Sequence, residues 1–295
     1  MPLEEFIITV FCLVDDTYHN LLSHPVRKRG TPPKLTDSEV ITMEIVGEWL
    51  GRHTDKAIWT YFHQHWLSLF PSIPSRPQFA RQAANLWAIK DKIHSYIVTM
   101  LGADTSGIYL IDGFPVDVCV TTRVKRSRLF KGEAAFGYCA SKKKHFYGFQ
   151  ANLLTDARGV PLKISLTAAN IDERDTVYEL IDSIEGLLIG DKGYIRPELT
   201  EDCRKQGLNL QTPLRKNMHD TRPKEDVSLL MNVRRRIETV IGHLAEYFEI
   251  ERCRCRDLWH LTGRINRKLL AYTVGMYLNI QACNEPMQFE NMITA

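Results

Sequence analysis

The sequence predicts an α/β fold: a mixed sheet with flanking helices, preceded by a helical N-terminal domain. Three observations support this. Residues 1–100 carry apolar side chains at helical spacing. "GIYLIDGFPVDVCV" and "HFYGFQANLLTDARGVPLKISLT" then supply three strand-like runs in succession, and from residue 171 helical and strand-like segments alternate. The change of character at Ser106 divides the chain into 1–105 and 106–295.

The elements follow in order. "EEFIITVFCLV" reads as a core helix, because Glu4 and Glu5 stand where a secretory signal needs positive charge. In "LTDSEVITMEIVGEWLG", Thr36 and Glu39 form a capping-box pattern. Val40, Met43, Ile45, Val46, Trp49 and Leu50 then make an apolar stripe, and Gly51 ends it. The breaker-rich "FPSIPSRPQ" separates this helix from "FARQAANLWAIKDKIHSYIVTML", which carries Arg81, Lys90 and Lys92. Helices around a tight turn with basic positions suit a helix-turn-helix DNA reader or an ordinary bundle. Further on, Asp156, Arg158 and Gly159 mark a hairpin turn. "IDERDTVYELIDSI" reads as a helix opened by Asp172 and Asp175. "LLIGD" reads as a strand, 196–206 as a helix and "LNLQTPL" as a short strand. Residues 214–228, broken by Pro223, read as a loop, and the pattern is helical from there to about Cys283.

Composition narrows the class. The 295 residues are 44% apolar, enough for a sizeable core, and the net charge of +3 does not by itself imply nucleic acid. The distribution says more. Arg123, Lys125, Arg126, Arg128, Lys131, Lys142, Lys143 and Lys144 cluster against the single acid Glu133. Arg234, Arg235, Arg236, Arg252, Arg254 and Arg256 form a second basic set. Such clusters can neutralise phosphates or simply face water. No apolar run reaches membrane-spanning length, so a soluble, cytoplasmic protein with reduced thiols is expected. Cys253 and Cys255, with His260 nearby, lack a usual zinc-ligand spacing. Tyr194 and Trp259 are candidates for stacking on DNA bases, with core packing the alternative for Trp259.

Two acids end apolar runs: Asp112 after Ile108–Ile111, and Asp191 in "LLIGDKGYI". Side chains from separate strands converge at the C-terminal edge of such sheets. Carboxylates held together repel, and a divalent cation with a preference for hard oxygen ligands relieves this. Asp117, an odd number of residues from Asp112, should face the other way. A third acid, Glu238, sits beside the buried stripe of "NVRRRIETVIGHLAEYFEI", with Arg234 four residues before it as an ion-pair or phosphate partner.

Taken together, "YLIDGFPVDVC", "LLIGDKGYI" and "RRRIETVIGHL" resemble the signatures of bacterial insertion-sequence transposases of the DDE class, most like the insertion sequence 982 family. "LTAANIDERDT" resembles the segment that precedes the second acid in relatives. The resemblance implies an RNase H-like fold over roughly 106–283, with Asp112, Asp191 and Glu238 as catalytic, metal-binding residues. It implies Mg²⁺, with Mn²⁺ as a substitute. One ion would activate a water or 3′-hydroxyl and a second would stabilise the leaving oxygen. Asp112 would bridge the two. The implied partners are double-stranded DNA, as element ends and as target, and a second copy in a homodimer on DNA. Lys192, Arg234, Arg235, Arg123, Lys125, Arg126, Lys142, Lys143 and Lys144 are the candidate DNA contacts. The pattern departs in places. Some relatives carry a Tyr and a Lys seven residues either side of the Glu, and here those positions are Met231 and Ala245. The gap from Pro213 to Leu229 is also too short for the inserted domain of other relatives. An endonuclease without joining activity and a non-catalytic DNA-binding protein are the alternatives.

Overall fold

The computed structural model describes every residue except 23–25, 27–29, 141 and 295. The chain opens with helices α1 (Leu3–Leu21), α2 (Asp37–Trp49), α3 (Asp55–His65), α4 (Arg76–Asn85) and α5 (Trp87–Met100). Strands β1 (Ile108–Cys119), β2 (Ala135–Cys139), β3 (Lys144–Asp156) and β4 (Pro161–Ala168) follow. Then come α6 (Glu173–Leu180), β5 (Gly186–Ile189), α7 (Pro197–Lys205), β6 (Leu208–Gln211), α8 (Lys224–Glu246) and α9 (Leu258–Gln281). They group into two compact units: Met1–Ile97 with Glu246–Ile250 and Arg254–Ala295, and Val98–Ala245 with Glu251–Cys253.

The first unit is helical. Thr36 Oγ1 accepts from the Glu39 backbone N–H and the Glu39 carboxylate accepts from Thr36, so the capping box forms as read. The sequence split at residue 105 gives no sign that α9 joins these helices. The reason is a buried ion network. Arg267 of α9 is fully buried and donates to Glu48 at 2.5 Å and Asp55 at 2.9 Å. Lys268 reaches Glu48 at 2.8 Å, and Lys90 reaches Glu44 at 2.9 Å. Lys90, read as a possible DNA-facing cation, is thus inside the unit and paired. Gly275 of α9 also lets the Trp49 ring approach, since a Cβ there would lie 2.2 Å from it.

The second unit holds the sheet. β1 and β3 pair antiparallel, and so do β3 and β4, with the turn Asp156–Gly159 between the latter two as expected. Asp156 Oδ1 accepts from the Arg158 and Val160 N–H groups, and Gly159 takes a φ of +89°. β5 joins the other edge of β1 in parallel, and β6 extends it in parallel through α7. Antiparallel β1, β3 and β4, edged by the short β2, and then β5 and β6 added in parallel make a six-stranded RNase H-like mixed sheet. Buried Leu110, Ile111, Val116, Phe149, Leu153 and Leu188 form its apolar interior.

The structure differs from the sequence reading elsewhere too. The single helix expected over 79–101 is two, α4 and α5, divided at Leu86. β1 runs on to Cys119, so Asp112 lies within the strand and not near its end. β2, a short strand with outward-facing Phe136 and Tyr138, pairs with the first residues of β3 and has no counterpart in the sequence reading. α8 starts at Lys224, inside the expected loop, because Pro223 stands just before the helix, where a missing N–H costs nothing. The C-terminal helical region is two helices, with 247–257 between them. Among the described residues no helix is long and apolar enough to cross a membrane.

Removing one partner from a buried ion network leaves uncompensated charge. Arg267→Ala is therefore expected to destabilise the protein by about 3–5 kcal/mol in urea unfolding. Glu48 has a matching pH signature. Burial opposes its ionisation, but Arg267 and Lys268 outweigh that and hold its carboxyl down to about 2. Its contribution to stability should be present above about pH 4.5 and fade as the pH falls towards 2.

Candidate active site

Parallel register brings the two aspartates together. Leu110 is paired with Ile189, the last residue of β5, and Asp112 and Asp191 each lie two residues beyond that pair. Neighbouring strands run about 4.8 Å apart, so equal offsets put the two side chains side by side on one face. The missing continuation of β5 leaves this edge of β1 open, and Pro115 sits there without needing a ladder partner on that side.

Local chemistry explains "GDKGY". Asp191 Oδ1 accepts from the Gly193 N–H at 2.6 Å, which fixes the turn. Tyr194 is fully buried and its ring packs over Gly190, where a Cβ would lie 2.8 Å from the ring. Asp112 Oδ1 accepts from the Gly113 N–H at 2.9 Å. On α8, Ile237, Val240 and Leu244 are buried, which fixes the helix rotation and turns Arg234 and Glu238 towards the aspartates. Arg234 donates to Glu238 at 2.5 Å and lies 3.7 Å from Asp112.

These residues line one cleft of about 400 Å³ with Gln150, Glu173, Tyr138, Lys142 and Glu251. All three sequence-predicted acids are there. Asp117 does not line it; it pairs with Lys144 at 2.5 Å and lines a smaller neighbouring pocket that shares Pro115, Cys139, Lys142 and Glu251 with the cleft. A larger cavity, about 800 Å³, lies at the other end of β1 between Asp104 and Glu185, away from these acids. Sequence reading missed Glu173, the first residue of α6, because its neighbours Asp172 and Asp175 offered ordinary helix-start chemistry. The one available signal was a third acid in "DERD".

The acids are short of positive charge. Burial raises the Asp112 carboxyl to about 6, opposed by Arg234 and the Gly113 N–H and reinforced by Asp191 and Glu238. Burial, then Asp191 and Asp112, push Glu173 to about 7. Among the described residues no three His, Cys, Asp or Glu side chains are grouped as a ready ligand shell. Glu238 is held by Arg234. The donor set is all carboxylate oxygen and lacks counter-charge, which suits Mg²⁺ or Mn²⁺ and not a softer metal.

The candidate DNA contacts are scattered. Arg123, Lys125 and Arg126 are exposed on a short 3-10 turn after β1. Lys142, Lys143 and Lys144 are exposed at the start of β3, with Lys142 paired to Glu251 on the rim of the cleft. Lys192 and Arg235 face solvent. Of the two aromatic candidates, Tyr194 is buried and cannot stack on a base. Trp259 is half exposed, in edge contact with Trp87 at 5.7 Å.

A family model described as a transposase DDE domain matches residues 102–258. The chain belongs to that family. The matched stretch, over half of the chain, contains Asp112, Glu173, Asp191 and Glu238. Among solved structures, the chain is similar to a piggyBac transposase in a synaptic complex with hairpin DNA. The identity is 9% and the TM-score 0.46, over 95% of this chain and 76% of that one. No curated protein matches the chain significantly. The DDE domain here is thus assigned by its sequence family and described by its own topology.

The raised Asp112 carboxyl sets a pH test. Its value of about 6 in the folded protein exceeds the ordinary 3.8, so it favours folding at low pH and loses that effect as the pH climbs to 6. Metal-free stability should therefore fall over about pH 4–6. Asp112→Asn is expected to flatten that part of the Tm-versus-pH curve and raise the metal-free Tm at pH 8, read by calorimetry.

Proposed function

We propose that this chain is a DNA transposase, nearest the insertion sequence 982 family, that cleaves DNA at the ends of its element and joins the freed 3′ end to target DNA. The observation that carries this is that Asp112 and Asp191, each two residues beyond the Leu110–Ile189 pair, line one cleft with Glu238, inside the stretch that matches the transposase DDE domain family.

DDE domains generally work with divalent metals, and Asp112, Asp191 and Glu238 are the residues that would hold them. Such an ion lowers the pKa of an attacking oxygen and stabilises negative charge on the leaving one. The protein's part is placement. The Gly113 and Gly193 N–H groups orient the two aspartates, and α8 carries Glu238 to the opposite wall. Arg234 is positioned to take the scissile phosphate once Glu238 is drawn elsewhere. Lys142 and the exposed Tyr138 stand on the rim, where a DNA strand would enter. Arg123, Lys125, Arg126, Lys143, Lys144, Lys192 and Arg235 would hold the flanking phosphates. Two ends must be joined, so a homodimer on DNA, in the bacterial or archaeal cytoplasm, is the working unit.

Asp191→Asn should abolish Mg²⁺-dependent cleavage and joining of end-sequence DNA. Retained cleavage would remove Asp191 from the site. Wild-type cleavage without joined product would favour an endonuclease. Changing Arg123, Lys125 and Arg126 together to Ala should weaken duplex binding and lessen its log–log salt slope by about 0.9 for each phosphate no longer neutralised. An unchanged slope would place DNA elsewhere.

A further inference from the structure

We propose that Glu173 is a fourth carboxylate of the metal-binding set, joining Asp112, Asp191 and Glu238. The inference rests on the transposase reading of the cleft and adds a residue to it.

Glu173 is the unneutralised member of an acidic run. In "DERD", Asp172 caps α6 and is bonded by Arg174 and Arg196, and Asp175 is bonded by Arg196 at 2.5 Å. Both nearby guanidinium groups are thus used on its neighbours. The Glu173 carboxylate itself takes no hydrogen bond or ion pair from the described residues. It lines the cleft and is half-buried there.

Its two oxygens address the two aspartate loops separately. A Cβ on Gly193 would lie 2.6 Å from Glu173 Oε1 and 2.7 Å from Asp191 Oδ1. A Cβ on Gly113 would lie 3.0 Å from Glu173 Oε2. The glycines that follow Asp112 and Asp191 are therefore the space this carboxylate occupies. Asn152 lies beside the same space. It is fully buried, its Oδ1 also lies 3.0 Å from that Gly113 position, and among the described residues its Nδ2 has no partner. A helix-start acid needs none of this arrangement. A carboxylate that reaches a cation beside the two aspartates uses both glycine spaces.

The test uses the full chain without DNA and reads Mn²⁺ binding from the electron paramagnetic resonance signal of the unbound ion. Glu173→Gln keeps the shape and removes the charge, and is expected to fold and to bind Mn²⁺ about tenfold or more weakly. Glu173→Asp keeps the charge and shortens the reach, and is expected to fall between that variant and wild type. It carries the test if the Gln variant does not fold. Wild-type Mn²⁺ affinity in the folded Glu173 variants, with binding abolished in Asp191→Asn, would overturn this inference and leave the transposase reading standing. Unchanged binding in Asp191→Asn as well would overturn both.

Discussion

Repulsion among carboxylates held out of water is the constraint on which the rest of this molecule turns. Asp112, Glu173, Asp191 and Glu238 line one cleft, and Arg234 is the cation set among them. A guanidinium can partner two of these groups at once, and it does so with Glu238 closely and Asp112 more loosely. Burial raises the Asp112 and Glu173 carboxyls, and the neighbouring carboxylates add to the rise. A fold that gathers such groups loses stability by doing so, a cost that function explains better than packing does. Arg234 then has two places to be: against Glu238 in the empty cleft, or against a phosphate when a metal takes the carboxylates.

The fold makes the gathering simple in geometry. One parallel pairing, Leu110 with Ile189, sets both aspartates, since any even step from that pair returns to the same face. The glycines beside them serve two ends each. Gly113 and Gly193 each donate the N–H that orients an aspartate and leave room for the Glu173 carboxylate, while Gly190 leaves room for the Tyr194 ring. The helical unit handles charge in the opposite way. Glu44, Glu48 and Asp55 are paired with Lys90, Arg264, Arg267 and Lys268, although burial still raises the Glu44 carboxyl.

Much of this was legible in the sequence because it follows period and order. Three strand-like runs followed by helix–strand alternation pointed to the mixed sheet, and acids after apolar runs pointed to Asp112 and Asp191. The Ile237–Val240–Leu244 stripe placed Glu238 next to a buried face. What was not legible depends on contacts between distant residues. Nothing near Glu173 distinguishes it from Asp172 until Arg174 and Arg196 are seen to choose the latter. Lys90 looked like a surface cation until Glu44 was found beside it. The place of α9 among the N-terminal helices rests on Arg267 meeting acids more than 200 positions away, which no local pattern announces. Tyr194 is buried for the same reason: the space over Gly190 is a tertiary fact.

The most direct measurement is an anomalous-scattering map of crystals of the full chain soaked in Mn²⁺. The expected result is a peak at coordination distance from both Asp112 and Asp191, with Glu238 turned from Arg234 towards the ion. Strong Mn²⁺ peaks elsewhere, with this cleft empty and the Arg234–Glu238 pair intact, would contradict the account.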